Sequence, residues 1–444
     1  MTEQNRAKLL YLETFGCQMN VNDSEKMTAL MADLGYGITT DPSQADMILL
    51  NTCSIRAKAE QKVYDIVRNY KPLKRLRPHL IIGVGGCVAQ QEGERLLKRL
   101  PLLDLVVGTH AIHRLPQLVR SAEAGERRVE TEFRDSDTAA DLFLRGGATG
   151  KVNRFVTVMQ GCDNFCSYCI VPHVRGREMS RQATDIVAEI RELADAGVHE
   201  VTLLGQNVNS YGRTFGDGND FATLLRQVAA IDGIERIRFT TSHPRDLSPA
   251  LIACFAEIKS LCGHMHLPAQ AGNDRVLEAM NRGYRRHDYL QRVAELRRAR
   301  PDIQLTTDVI VGFPGESDGE FRDTLSLLEE VRYADLFSFV YSARPGTQAA
   351  LLTEELTYRQ KVERLDQVNA LQYRISFEIN QGFVGSRERI LVEGVSKRGD
   401  QLFGRTEGNR IVNFPGESTL IGQFVEVSIV RAYPNSLLGV LHAS

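Results

Sequence analysis

Three cysteines fall within eight residues, Cys162-Asp-Asn-Phe-Cys166-Ser-Tyr-Cys169, at the spacing Cys-x3-Cys-x2-Cys. No other stretch limits the chain so strongly. Thiols this close cannot all pair with one another as unstrained disulfides, so a metal is their natural partner. Three is the informative number. A [4Fe–4S] cluster normally takes four cysteines; held by three, it keeps one iron open to a small molecule. A structural zinc site completed by a fourth ligand such as His173 is the alternative that the triplet alone allows.

The 444 residues suffice for two or three domains. Hydrophobic residues make up 43% and charged residues 25%, ordinary proportions for a chain with a sizeable core. A net charge of −2 excludes a molecule-wide basic field, so nucleic acid would have to be met by local patches. The polar start, Met-Thr-Glu-Gln-Asn-Arg-Ala-Lys, lacks a signal-peptide core. No apolar run reaches the ~20 residues of a membrane span, so no membrane partner is expected. Eight cysteines without an export signal read as reduced thiols used for metal or catalysis in the cytoplasm. The chain is expected to act as a monomer.

The first region alternates strands and helices. Residues 8–16, 46–52 and 80–86 read as buried strands, ending at Cys17, Cys53 and Cys87. Helices are expected from Asn22 to about Leu34-Gly35, from Ala57 to about Asn69, and from Gln90 to Arg99. The pattern implies a doubly wound sheet, in which function gathers at the strand carboxyl ends. All three cysteines lie there, 36 and 34 residues apart. The repeated placement reads as a second iron–sulfur cluster, again with three protein ligands. Gly83-Val-Gly-Gly86 is no dinucleotide fingerprint, because it lacks the last glycine and runs into a cysteine. Arg68, Lys71, Lys74, Arg75 and Arg77 form a solvated loop or a phosphate-contacting patch. A Glu-, Asp-, Ala- and Gly-rich stretch from Ser121 to Gly150 reads as a linker.

Further strand-like runs are Val152–Met159, Glu200–Leu204, Arg236–Thr241, His264–Leu267, Gln304–Val311 and Asp335–Tyr341, separated by helical stretches. Six strand–helix units argue for a partial (β/α)6 barrel with its chemistry at the strand carboxyl ends. Those ends carry Gly205-Gln-Asn-Val-Asn, Ser242-His-Pro-Arg, Pro268-Ala-Gln-Ala-Gly, Gly312-Phe-Pro-Gly-Glu and Ser342-Ala-Arg-Pro-Gly-Thr, which suit close approach to a nucleoside or cofactor. His243 and His266 read as structural histidines first, and no general base is assigned. Arg282, Arg285, Arg286, Arg292, Arg297, Arg298 and Arg300 read as a solvated helix face or a phosphate track, with the track preferred. After a charged helix from Thr357 to about Gly382, short strands at 387–395, 401–406, 410–414 and 423–430 suggest a small antiparallel barrel.

Cys-x3-Cys-x2-Cys with Tyr168 before its last cysteine resembles the radical S-adenosylmethionine (SAM) enzymes. The whole chain resembles their methylthiotransferase family, through Gly16-Cys17-Gln-Met-Asn20, Asn51-Thr-Cys53, Gly161-Cys162 to Arg181, Gly205-Gln-Asn207, Pro268 to Gly272, Gly312 to Glu316 and Ala343 to Thr347. The resemblance implies an N-terminal methylthiotransferase domain at 8–120, a linker at 121–147, a radical SAM core at 148–380 and a TRAM domain at 381–444. It implies that Cys162, Cys166 and Cys169 hold a SAM-binding [4Fe–4S] cluster. It places Tyr168, Gln206, Asn207 and Gly312 around SAM, and Cys17, Cys53 and Cys87 on an auxiliary [4Fe–4S] cluster that carries the sulfur. Asn20 to Met27 and Asn51 to Val63 look like the MiaB-type branch. That branch adds a methylthio group to C2 of N6-isopentenyladenosine at position 37 of tRNA, with SAM as methyl donor and radical source. The implied partners are this tRNA, a reductant protein such as a flavodoxin or ferredoxin, and a sulfur donor. Threonylcarbamoyladenosine of tRNA and an aspartate of ribosomal protein S12 are the alternative substrates. A non-radical iron–sulfur RNA-binding or electron-transfer protein is the alternative of another class. The chain departs from the family at Gln270-Ala271-Gly272-Asn273, where Gln-Ser-Gly-Ser is usual, so two hydroxyls are missing there.

Overall fold

The computed structural model describes residues 7–54, 57–133, 142–146, 152–216, 218–397 and 399–442. Part of the expected linker, at 134–141 and 147–151, and Ile55-Arg56 of the branch-specific stretch lie outside them.

The first region is a six-stranded, all-parallel sheet. In chain order its strands are Lys8–Thr14, Tyr36–Ile38, Met47–Thr52, Ile81–Gly86, Leu105–Val107 and Arg128–Glu130. Side chains alternate across the sheet, as strand geometry requires. Ile48, Leu50, Ile82 and Val84 enter one apolar cluster, while Met47, Leu49, Ile81 and Leu105 enter the one on the opposite face. The second strand lies outside the first, so the order reverses beside Lys8–Thr14. In doubly wound sheets ligands bind at such a reversal, beyond the strand carboxyl ends.

Three expectations change here. The first helix is Gln18–Asp33, not a helix capped at Asn22; Cys17 is its N-cap. Asn20, Asn22, Asp23, Ser24 and Lys26 are buried polar residues of that helix, turned toward the sheet and the second domain. The helix expected at Gln90–Arg99 is two short ones, Cys87–Glu92 and Glu94–Arg99, interrupted at Gly93. The stretch read as linker from Ser121 also begins inside a helix, Leu115–Glu123, and contributes the edge strand Arg128–Glu130.

The central region has six parallel strands in two runs of three: Arg236–Phe239, Glu200–Leu204, Asn153–Thr157, and His264–His266, Gln304–Val311, Asp335–Val340. A parallel bridge between Ile237 and Leu261 continues the sheet from one run to the other. Residues such as Val201, Leu203, Ile237, Phe239, Met265, Leu305 and Val309 pack outward under the surrounding helices in one core. Alternate residues therefore line the inside, giving the expected open (β/α)6 barrel.

The tail is a closed five-stranded barrel, reached by the helix Tyr358–Gln381, whose N-cap Thr357 forms a capping box with Gln360. Its last strand, Ser436–Leu441, closes it through one parallel pairing with Ile411–Phe414; the other pairings are antiparallel. This small barrel seals the amino end of the central one. Arg236 donates to the carbonyl of Arg405 at 2.9 Å, and Arg238 to those of Glu407 and Thr406 at 2.8 Å each. Glu200 lies 3.1 Å from Arg238 and holds its charge. The strand carboxyl ends are thus the barrel mouth left for chemistry.

His264 is buried at this seal, and burial followed by the charges of Arg238, Arg410 and Arg405 and the neighbouring His266 hold its pKa well below the usual histidine range. The unfolded chain takes up this proton near pH ~6.5 and the folded chain does not. Stability from this group is therefore complete above that pH and declines below it. Folding stability is expected to fall as the pH drops from neutrality through the usual histidine range, with this site contributing to the loss. His264→Asn should flatten the pH dependence of the melting temperature over that interval.

Candidate active site

Cys17, Cys53 and Cys87 follow three neighbouring strands at the order reversal. A Cβ on Gly16 would stand 2.3 Å from that of Cys53, which measures how closely the first two loops approach. The Cys17 thiol is held down to about 6, by a hydrogen bond with Cys53 above all, with burial opposing and Arg175 and nearby backbone groups assisting. Burial pushes the Cys87 thiol up, and Arg175 counters it. Asn20 ties the group together: its Oδ1 lies 3.6 Å from Cys17 Sγ, and its Nδ2 donates to the carbonyl of Thr52 at 2.8 Å.

The second triplet lies in the loop between two strands that pair antiparallel, Met159–Gln160 and Met179–Ser180. Gln206 Oε1 accepts from Gly161 N at 2.6 Å and fixes the start of the loop. Asp246, in the short helical turn Pro244–Asp246 that follows the strand Arg236–Phe239, accepts from Asn164 at 3.2 Å, Asn207 at 2.7 Å and Arg213 at 2.8 Å. Cys166 Sγ has two donors. Arg282 Nη1 is 3.3 Å away, and His243 Nε2 is 3.9 Å away. The backbone N–H of Arg245 donates to His243 Nδ1 at 3.2 Å, so the neutral ring carries its proton on Nε2, facing the sulfur. Burial, then the Arg282 charge, pushes His243 down to about 2. Burial pushes Cys162 and Cys169 up to about 12, and neighbouring thiols add to it.

Both triplets suit iron–sulfur clusters. Burial makes Cys87, Cys162 and Cys169 resist ionising, and a cationic metal group beside them removes that resistance. Among the described residues no three His, Cys, Asp or Glu gather as a single metal ion requires. A cubane does not require it, since it takes its thiolates at separate corners. His173 is exposed on the next helix, with its ring beside Gly346. Around the barrel mouth, buried polar atoms lack partners among the described residues: Gln160 Nε2, Asn207 Oδ1, Asn209 Oδ1, Ser242 Oγ, Gln270 Oε1 and Tyr341 Oη. Each belongs to a strand carboxyl end or the turn after it. Buried polar groups are normally satisfied, so this ring matches a polar cofactor such as SAM.

Of the residues placed around SAM from sequence, Tyr168 OH is 3.4 Å from Arg282, and Gln206 and Asn207 anchor the cysteine loop. Gly312 has a packing reason of its own: a Cβ there would meet Lys361 Cγ at 2.5 Å. The departure at 270–273 is also explained. Ala271 lies in an apolar cluster, and Asn273 caps the helix Asp274–Ala279 through the N–H groups of Arg275 and Val276. Most of the arginine run is engaged within the chain, while Arg285 and Arg298 are exposed. Arg282 is buried at the cysteine loop, while Arg286, Arg292 and Arg300 pair with Glu330, Glu295 and Asp302. In the first-domain stretch, Lys74 and Arg77 pair with Asp104 and Asp46. Cys254 and Cys262 are core residues.

The comparisons with known proteins match this anatomy. Residues 9–108 match the Uncharacterized protein family UPF0004, 156–328 the Radical SAM superfamily, and 381–441 the TRAM domain. A tRNA-2-methylthio-N(6)-dimethylallyladenosine synthase of Geobacter metallireducens is 61% identical over 434 residues, covering 98% of each chain. This chain belongs to that synthase family. A synthase of the same name from Geobacter sulfurreducens is 60% identical, covering 99% of this chain and 98% of its own. As a family member the chain is a radical SAM methylthiotransferase, for which the superfamily implies a [4Fe–4S] cluster and SAM. The fold extends further: the radical SAM methyltransferase TsrM of Kitasatospora setae, solved with cobalamin and a [4Fe–4S] cluster, has a TM-score of 0.57 at 13% identity, over 86% of this chain and 76% of that one.

Proposed function

We propose that this synthase-family member adds a methylthio group to C2 of N6-isopentenyladenosine at position 37 of tRNA, using SAM both as methyl donor and as radical source. The observation that carries the reading is the pair of cysteine triplets, one after three neighbouring strands of the first sheet and one in the loop before Val171–Arg175, linked by Ile170 and Val174 packing on Cys87. When bound, a cluster at Cys162, Cys166 and Cys169 supplies an adenosyl radical from SAM, and one at Cys17, Cys53 and Cys87 supplies the sulfur.

The chain's own residues position and insulate. Gln206 and Asp246 hold the cysteine loop against the barrel mouth. Arg282 and His243 direct their N–H groups at Cys166 and stabilise negative charge there. Asn207, Ser242, Gln270 and Tyr341 offer the polar atoms for SAM. Thr109 and His110 bind the carbonyls of Val174 and Arg175 at 2.5 and 2.8 Å, fixing one domain on the other. Rigidity between the domains matters, because the sulfur and the activated carbon must meet within about an ångström of the reactive geometry. The TRAM domain and a partner tRNA, a low-potential flavodoxin or ferredoxin, a sulfur donor and a cytoplasmic setting complete the proposal, with working boundaries at 8–120, 148–380 and 381–444. No helix among the described residues is long and apolar enough to cross a membrane.

The test is competition in one anaerobic tube with reconstituted protein, reductant and SAM. Isopentenyladenosine tRNA, threonylcarbamoyladenosine tRNA and ribosomal protein S12 compete, and mass spectrometry reads the added methylthio group. Product on the isopentenyl tRNA alone is expected. Product on another substrate overturns the substrate assignment, and intact clusters without 5′-deoxyadenosine overturn the radical chemistry.

A further inference from the structure

We propose that Arg175, a residue of the radical SAM domain, is the positioning residue of the auxiliary cluster, setting that cluster's place and reduction potential from across the domain boundary. The inference rests on the reading of Cys17, Cys53 and Cys87 as cluster ligands.

Arg175 ends the helix Val171–Arg175, six residues after Cys169. Its side chain leaves its own domain and enters the first one. There it is 3% exposed and pairs with Asp23 at 2.7 Å, itself 2% exposed. Its Nη2 donates to Asn20 Oδ1 at 3.2 Å, the same oxygen that faces Cys17 Sγ at 3.6 Å. The other end of the Asn20 amide holds the carbonyl of Thr52, next to Cys53. Ile170 and Val174, on the same segment as Arg175, form a buried cluster with Cys87. One segment thus reaches all three auxiliary cysteines. Its far end is equally committed, since Cys162 N donates to the carbonyl of Gly176 at 3.2 Å.

A buried ion pair is a poor way to gain stability, because desolvation offsets the attraction. Its placement against thiolates supplies another reason. Three thiolates around a cluster concentrate negative charge, and a reduced cluster carries one charge more. A guanidinium fixed beside them favours the reduced state, and the carboxylate of Asp23 opposes it. Cluster potentials respond to such nearby charge and hydrogen bonding.

The experiment uses the full chain with Cys162, Cys166 and Cys169 all changed to Ala, so that only the auxiliary cluster remains. Iron per chain and the midpoint potential, from a redox titration followed by electron paramagnetic resonance, are compared across Arg175→Met, Arg175→Lys and Asp23→Asn. Arg175→Met is expected to lower the reduced-to-oxidised ratio at fixed potential about tenfold, a shift of ~59 mV for one electron. Asp23→Asn is expected to shift it the opposite way, and Arg175→Lys to stay nearest the parent. Should Arg175→Met fail to hold iron, a higher reduced-to-oxidised ratio in Asp23→Asn, set against a near-parental Arg175→Lys, decides. Variants that keep iron and shift together, or do not shift, overturn the inference and leave a packing role. A parent with no iron overturns the ligand reading itself, and the inference with it.

Discussion

Alanine in place of Cys17, Cys53 or Cys87 is expected to abolish methylthio transfer while the chain still cleaves SAM. The loss of product should exceed about 100-fold, beyond the cost of removing a residue that merely supports a metal ligand. Alanine at Cys162, Cys166 or Cys169 should abolish both product and 5′-deoxyadenosine. The reason for the split is local anchoring. The second triplet is fixed by Gln206, Asp246, Arg282 and His243, all residues of its own domain. The first is fixed by its sheet and by Asn20. The segment Ile170–Gly176 is shared, and none of these substitutions removes it. Anaerobic assays that quantify both products by mass spectrometry check the expectation. Methylthiolated tRNA from Cys53→Ala would remove the first triplet from the reaction, and loss of SAM cleavage in that variant would show that the triplets do not work separately.

The parts of this architecture that sequence exposes are those with local signals. Met47–Thr52 and Ile81–Gly86 are buried along their whole length because both faces of a central parallel strand are covered, and their apolar runs show it. The cysteines after them stand where such sheets place function. Tyr36–Ile38, Leu105–Val107 and Arg128–Glu130 escaped because three residues carry no usable periodicity, and the last lies in a charged stretch. Ser436–Leu441 escaped as well, because it follows its partner across a two-residue turn and the expected partner strand ends at 430. Buried charge was the larger blind spot. Arg175, Arg236, Arg238 and Arg282 look like surface residues in a sequence, since arginine is rarely buried unless paired. Their partners, Asp23, Glu200, carbonyls of the last barrel and a cysteine thiol, lie far away in the chain. Arg282 even opened the run that read as a phosphate track. One local signal was available: Gly16, Gly86 and Gly161 each precede a cysteine and each has a positive φ.

Gly161→Ala is expected to destroy the SAM-cleaving half of the enzyme and spare the other. Gly161 has a φ of +79°, and a Cβ there would stand 2.0 Å from the carbonyl oxygen of Arg177 and 2.6 Å from that of Gly176. These obstacles are backbone, so they cannot turn aside. They also form the neck of the cysteine loop, where Met159 pairs with Ser180, Gln160 with Met179, and Cys162 N with the carbonyl of Gly176. The left-handed conformation alone costs alanine ~1–2 kcal/mol. Opening the neck adds to that and moves Cys162 away from Cys166 and Cys169. Gly197 separates the two costs, since its φ is +85° and nothing lies within 4 Å of an added Cβ. Gly197→Ala should lower the melting temperature with iron content and SAM cleavage unchanged. Gly161→Ala should lose about half of the iron and nearly all 5′-deoxyadenosine, keeping the iron of the first triplet. If the two variants differ only in melting temperature, the neck yields without disturbing the cysteines. The neck from Gly161 to Gly176 would then not be what holds the second triplet in place.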